Sequence, residues 1–222
     1  MISKGRNVSE FFAQVVKNVA SPNLEIRKLV YIYLLRYAEH EQDLALLSIN
    51  TFQKDLTDSN PLIRAMALRV LSGIKVPMVG SIVALGIKKC AADPSPYVRK
   101  AAALAIPKLY RYAIPFSIRR RLNVCILLTV YSLDPSHLTS LEPILLSLLR
   151  DRSPVSVGCV AVAFNAVCPH RLDLLHGHYR RLCRILVDAD EWGQASLMDL
   201  LLRYARHMLT KPPDPEVHNS ND

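Results

Sequence analysis

Glycine is scarce in this chain, at seven of 222 residues against fourteen prolines. A β-sandwich or a dinucleotide-binding sheet needs glycine-rich turns, so both architectures are disfavoured. The five cysteines are odd in number and form no CxxC, which excludes a disulfide framework and a zinc ribbon and fits a reducing compartment. No uninterrupted apolar run approaches the roughly 18 residues that a membrane span requires. No apolar core follows the basic residues of Met1–Arg6, as it would in a signal peptide. Ile2 excludes N-myristoylation. The expectation is a soluble, cytosolic chain.

Catalytic signatures are missing as well. The chain has no phosphate-binding G-x-x-x-x-G-K-[ST], no G-x-G-x-x-G, no H-E-x-x-H and no G-x-S-x-G. Cys168, His170, His176, His178 and Cys183 cluster in sequence, but their spacings of 2, 6, 2 and 5 match no zinc pattern. Asp188, Asp190 and Glu191 read as an acidic turn between helices rather than a cation site. Asn7-Val8-Ser9 is a glycosylation sequon without a secretory context. The chain is therefore expected to be no enzyme and to carry no metal or cofactor.

What the sequence does have is apolar content and repetition. Half of its residues are apolar and the mean hydropathy is +0.16, which rules out wholesale disorder. Five segments share a polar or proline-bearing turn followed by the start of a helix. They centre on Ser21–Arg27, Asp58–Arg64, Asp93–Arg99, Asp151–Gly158 and Asp190–Gln194. Aligned on Arg27, Arg64, Arg99, Gly158 and Gln194, the intervals are 37, 35, 59 and 36 residues. The pentapeptide Leu-Leu-Arg-Tyr-Ala recurs at 34–38 and 201–205, again 167 residues apart. A period near 36 with room for two helices predicts an all-α solenoid of about five helical pairs, and Asp-x-x-Pro-x-Val-Arg at 93–99 favours the armadillo/HEAT type.

The expected helices are 8–20 and 24–38, 43–56 and 61–73, 77–92 and 96–110, 138–150 and 154–168, then 172–188 and 192–209. Pro61, Pro96 and Pro154 suit the first helical turn, where a missing N–H costs nothing. The Asp or Ser before them can accept from the first free amides, and Asn7-Val8-Ser9-Glu10 reads as a capping box. Leu29–Leu35 is apolar round almost its whole circumference, which predicts burial on all sides. Asp43–Ile49 is more amphipathic and fits an outer helix. Arg27, Arg64 and Arg99 are expected to form a structural ladder with the turn aspartates of adjacent units.

Charge is uneven. The net charge is +9, with a pI near 9.5, yet residues 111–131 alone supply +4 through Arg111, Arg119, Arg120 and Arg121, leaving an ordinary +5 over the other 201. The same residues account for the 59-residue interval, which predicts an atypical insert at 111–131. Arg119, Arg120 and Arg121, followed by Leu122–Val130, make a candidate contact with an anionic membrane, too short to span it. Arg180, Arg181 and Arg184 with Tyr179, and Lys88 with Lys89, read as solvated helix faces. They form no dense stripe, so a nucleic-acid or nuclear-transport partner is the alternative rather than the leading reading. Both ends read as cut, because a solenoid needs terminal repeats with a polar outer face. Residues 210–222 read as a flexible tail.

Longer motifs carry a resemblance. Asn18-Val19-Ala20-Ser21, Lys28–Ala38, Asp43–Ile49, Pro61-Leu62-Ile63-Arg64-Ala65, Ser95–Lys100 and Glu191-Trp192-Gly193-Gln194 resemble the trunk of the beta subunits of vesicle-coat adaptor complexes, the adaptin family. Val15–Ala20 and Tyr179–Cys183 are similar to the branch found in adaptor-protein complex 3. The resemblance spans nearly all of 8–209 except 111–131. It implies a non-catalytic armadillo-like scaffold within a heterotetrameric coat on Golgi, endosomal and vesicle membranes. The other large, medium and small adaptor subunits would be its partners, in protein transport and the sorting of cargo to lysosomes and related organelles. It also implies that earlier trunk repeats, most of the later trunk, the hinge and the appendage lie outside this sequence. By the same resemblance 111–131 is extra, because the family runs from Tyr110 straight into Ser132-Leu133-Asp134-Pro135.

Overall fold

The computed structural model describes residues 4–38, 40–74, 79–112 and 135–210. The expected tail beyond Thr210 and nearly all of the expected insert, including Arg119, Arg120 and Arg121, lie outside them. Arg111 and Tyr112, its first two residues, are the last of a helix.

Ten α-helices and no strand occur among the described residues. They are α1 (Phe12–Val16), α2 (Leu24–Tyr37), α3 (Gln42–Asp55), α4 (Pro61–Leu71) and α5 (Gly80–Ala91), then α6 (Pro96–Tyr112), α7 (Pro135–Leu149), α8 (Pro154–Val167), α9 (Tyr179–Ile185) and α10 (Glu191–Met208). Each odd-numbered helix pairs with the even-numbered helix after it. The second helices, α2, α4, α6, α8 and α10, stack on one another in order. This is an all-α armadillo/HEAT-like solenoid.

One unbroken cluster of buried apolar side chains runs from Val8 to Tyr204. Phe12, Leu34, Phe52, Leu68, Ile87, Ile106, Leu145, Phe164 and Leu175, all fully buried, carry it through every pair. Each such side chain contributes roughly 1.5–3 kcal/mol when removed from water. Because the seam between units is made of the same residues as the core, a unit has no core of its own.

The local signals act largely through side chains at the helix starts. Pro61, Pro96 and Pro154 each open a helix. Asn23, Asn60 and Asp190 accept from Glu25, Leu62 and Gly193 respectively, filling amides that helices leave free. The aspartates act one step earlier. Asp58, Asp93 and Asp151 accept from the amides of Asn60, Ser95 and Ser153, which closes the turn before each helix.

Three sequence expectations need correction. Asn7 and Glu10 form no reciprocal capping box; instead Asn7 accepts from the Ser9 amide at 3.1 Å, and the chain enters α1 through a 3₁₀ turn. The helix expected at 172–188 is broken into 3₁₀ turns at Leu172–Leu175 and Leu186–Asp188 around a short α9. The all-round burial expected of Leu29–Leu35 fails, since Leu29 and Ile32 are 68% and 58% exposed. The physical reason is that α2 is packed by later second helices on one side only.

The recurring pentapeptide plays the same part in both places. In the first pair, Tyr37 Oη accepts from the Val8 amide at 3.3 Å, and Tyr33 donates to the Val8 carbonyl at 2.5 Å. In the fifth, Tyr204 Oη lies 2.5 Å from His176 Nδ1, and its ring stacks on Tyr179 with centroids 4.5 Å apart. Each tyrosine ties its own second helix to the start of the first helix in the pair.

Candidate interaction surface

The turns that open the second helices bring together the charged residues of successive pairs. Arg64 on α4 grips Asp93 with two parallel bonds, Nε to Oδ2 at 2.8 Å and Nη2 to Oδ1 at 2.9 Å. Its Nη1 also donates to the carbonyls of Asp58 and Ser59 at 2.8 and 3.0 Å. Arg99 on α6 repeats the arrangement with Asp151, at 2.7 and 3.1 Å, and with the carbonyls of Asp93 and Pro94. A planar guanidinium can join two units in this way because one side of its fork serves a carboxylate while the remaining N–H groups serve a turn. Arg27 departs from the pattern. It donates to the Ser21 carbonyl at 2.6 Å and pairs at 3.4 Å with Asp55, the last residue of α3.

The carboxylates respond to these surroundings. Burial raises the Asp93 pKa, but the Arg64 hydrogen bonds and the Ser95 amide outweigh it and hold the group below its usual value. Asp151 is likewise held down, against burial, by Arg99, the Ser156 hydroxyl and the Ser153 amide. Asp55 moves the other way, because burial exceeds what Arg27 and the Tyr31 hydroxyl return.

The ladder stops after the third pair. Counting from helix starts at Leu24, Pro61, Pro96, Pro154 and Glu191 puts Val157, rather than Gly158, at the arginine position. The alignment on Gly158 is thus one residue out. Gly158 instead allows a close approach. A Cβ there would lie 2.3 Å from the Cα of Gly193, so α8 and α10 touch backbone to backbone. Across this close crossing, Lys100 of α6 reaches Asp190 at the start of α10, at 3.3 Å.

Other singled-out residues fall into place individually. Arg181 is not a solvated cation: it donates to the carbonyls of Leu149 and Asp151, at the C-terminal end of α7 where the helix dipole is negative. Arg180 and Arg184, like Lys88 and Lys89, are exposed. Cys168 is buried, with its thiol pushed up to about 11 by burial, and no metal-holding group of three or more ligands occurs among the described residues. His178 is held below its ordinary value by burial and by Arg181 and Arg150. Among the described residues no helix is long and apolar enough to cross a membrane.

What remains is surface. The second helices expose Leu62, Tyr97 and Trp192 two residues before their arginine positions, with Trp192 at 84%. Single exposed apolar residues are ordinary, but this one recurs in three of the five second helices, with Glu25 and the half-buried Val155 at the other two, and solenoids receive partners on such extended faces. The arrangement can bind; it holds no set of groups for bond-making chemistry among the described residues. The Arg–Asp partners were visible in the sequence through their spacing. Arg181 and the glycine crossing were not, although two glycines 35 residues apart near equivalent helix starts were a usable signal.

Comparison with known proteins agrees with this architecture. The family model described as the adaptin N terminal region matches residues 1–219. The chain is 53% identical over 212 residues to the AP-3 complex subunit beta-1 of Bos taurus, covering 96% of this chain and 18% of that protein. It is 47% identical over 221 residues to the AP-3 complex subunit beta of Dictyostelium discoideum, covering 100% and 18%. A homology model of the full-length AP-3 complex in an intermediate open conformation superposes with a TM-score of 0.60 at 36% identity, covering 99% of this chain and 32% of that one. The chain thus spans about a fifth of the length of these relatives. It belongs to the adaptin family, through the adaptin N-terminal region.

Proposed function

We propose that this chain is a non-catalytic scaffold subunit of a heterotetrameric vesicle-coat adaptor complex. Its work would be intracellular protein transport, the vesicle-mediated sorting of cargo from Golgi and endosomes to lysosomes and related organelles. The observation that carries the proposal is the 53% identity, over 96% of the chain, to an AP-3 beta subunit. The partners are the other large, medium and small adaptor subunits, with cargo-loaded membranes reached through the assembled complex. The chain would then sit in the cytoplasm, peripherally on the cytosolic face of Golgi, endosomal and vesicle membranes. Arg27, Arg64 and Arg99 act in this reading as the structural ladder, holding successive pairs at a fixed angle so that the partner face keeps its shape.

The rival reading, a basic helical repeat that binds nucleic acid or a nuclear-transport partner, loses ground to the same geometry. Arg27, Arg64, Arg99 and Arg181 donate to acceptors within the protein, so they are not presented to phosphates. Co-expression with the other three adaptor subunits, followed by purification through a tag on this chain, tests the proposal. Retention of all three supports it. Recovery of a folded, helical chain alone, with nucleic-acid binding that weakens steeply with salt, would favour the rival.

A further inference from the structure

The middle of the stack has a side that its own helices leave uncovered. Each of α4, α6 and α8 has a second helix on both flanks and its own first helix behind it. Both flanks are occupied, so the fourth side does not depend on the ends of the stack. It carries Leu62 and Arg69 of α4, and Tyr97, Lys100, Leu104 and Lys108 of α6. Spacings of 7 on α4 and of 3, 4 and 4 on α6 keep these residues on one stripe of each helix. On α8, Cys159 lies in the field of Lys100, Asp190 and Arg69 together, which sets the cations of both helices around one spot.

The charge on this side is unbalanced. α4, α6 and α8 contain no aspartate or glutamate, and neither do residues 75–78 and 113–133, which follow α4 and α6 in the chain. Arg64 and Arg99 consume the turn carboxylates, and Lys100 shares Asp190. Lys108 reaches only the Ser72 hydroxyl, at 3.4 Å, an oxygen whose own proton goes to the Arg69 carbonyl. Lys108 is half-buried, and burial together with the nearby Arg69 holds its ammonium below the ordinary lysine pKa. Arg69 is exposed. Two cations thus stand together with no carboxylate paired to either among the described residues, an arrangement that an anion from outside relieves.

We infer that this side of α4, α6 and α8 receives an acidic segment of a partner protein, with a carboxylate bridging Arg69 and Lys108 and apolar side chains against Leu62, Tyr97 and Val162. The shape of the site chooses among anions. Lys108 is recessed between α4 and α6, where a Glu or Asp side chain reaches and a flat lipid surface does not. Inorganic phosphate could enter, but it would leave Tyr97 and Leu62, 57% and 48% exposed, with nothing to cover them. A segment that interleaves acids with apolar residues satisfies both halves of the site. The inference rests on the reading of this chain as a partner-binding scaffold, and it names what the partner presents.

Fluorescence anisotropy of the full 222-residue chain with a labelled peptide of repeating Glu-Glu-Leu tests the inference. A length of about ten residues suffices, since an extended segment of that length crosses three helices set roughly 10 Å apart. The wild type is expected to bind this peptide and to ignore its Gln-Gln-Leu counterpart. Arg69→Gln combined with Lys108→Met should weaken binding about tenfold, the effect of two charge contacts of modest strength. Arg180→Met with Arg184→Met removes as many charges from exposed positions elsewhere and should leave binding unchanged. Arg69→Gln alone, at an exposed residue, should give part of the loss if the double variant proves unstable. Equal weakening by the two pairs would overturn the inference, because bulk charge would then suffice. So would a wild type that fails to bind at millimolar peptide, or one that prefers phosphatidylserine vesicles through Arg69 and Lys108. A chain retained with all three adaptor subunits yet indifferent to the peptide would overturn this inference and leave the scaffold reading standing.

Discussion

Gly158 and Gly193 let α8 and α10 meet with no side chain between them; a Cβ added to Gly158 would stand 2.3 Å from the Gly193 Cα. Backbone cannot swing aside as a side-chain tip can. Gly158→Ala is therefore expected to destabilise by about 1–3 kcal/mol, despite the gain of up to ~1 kcal/mol that alanine brings to a helix. Gly86→Ala is the control. Its added methyl would meet only the tips of Leu56 and Leu68, at 3.3 Å, so the helix gain roughly cancels the crowding and stability should move by less than about 1 kcal/mol. Urea denaturation of both variants checks the contrast.

Asp151 is the most heavily used carboxylate of the ladder, accepting from Arg99, Ser153 and Ser156. Asp151→Ala leaves the Arg99 fork without its anion while its two carbonyl contacts survive. The expected loss is about 2–3 kcal/mol, at or below the low end for a buried pair with one partner removed. A double-mutant cycle with Arg99→Met should recover part of that loss, and strict additivity would contradict the pairing.

Acid should weaken the fold in a defined window. Asp93 and Asp151 have folded-state pKa values below the ordinary 3.8. Their contribution is therefore complete above 3.8 and disappears as pH falls through the depressed values. Asp55, raised instead, has the opposite sign and offsets part of the effect. His178, held below 6.5, begins to cost stability earlier, as pH drops beneath 6.5. In denaturation series at stepped pH, the deficit of Asp151→Asn relative to wild type should be constant near neutrality and shrink below 3.8. A deficit that grows with acid would refute the assignment.

Arg181 differs from its basic neighbours. Arg181→Met removes two donors from the last carbonyls of α7, with an expected loss of about 1.5–3 kcal/mol. Arg180→Met and Arg184→Met touch exposed residues and should fall within about 0.5 kcal/mol of wild type. Thermal or urea unfolding of the three variants would show whether position, rather than charge, sets the cost.

The repeat was legible in the sequence because proline and aspartate mark helix starts through chemistry confined to a few residues. Tyr37 and Tyr204 stood out for the same reason, as members of one repeated pentapeptide. The exposure of Leu29 and Ile32 was not legible, since an apolar side chain does not record whether a neighbour lies beyond it. Nor was the choice of Asp55 over Asp58 by Arg27. The partner of Arg27 lies at the last residue of α3 rather than in the turn beyond it, a placement visible only once the helix end is folded. Arg181 escaped for a similar reason: its acceptors, Leu149 and Asp151, lie about thirty residues away.

Native mass spectrometry of material purified through this chain, after co-expression with the other large, medium and small adaptor subunits, addresses the scaffold role most directly. The account predicts one dominant assembly containing a single copy of this 24.9 kDa chain with one of each partner. A spectrum holding only the chain and its own multiples, from a sample whose circular dichroism is fully helical, would contradict it.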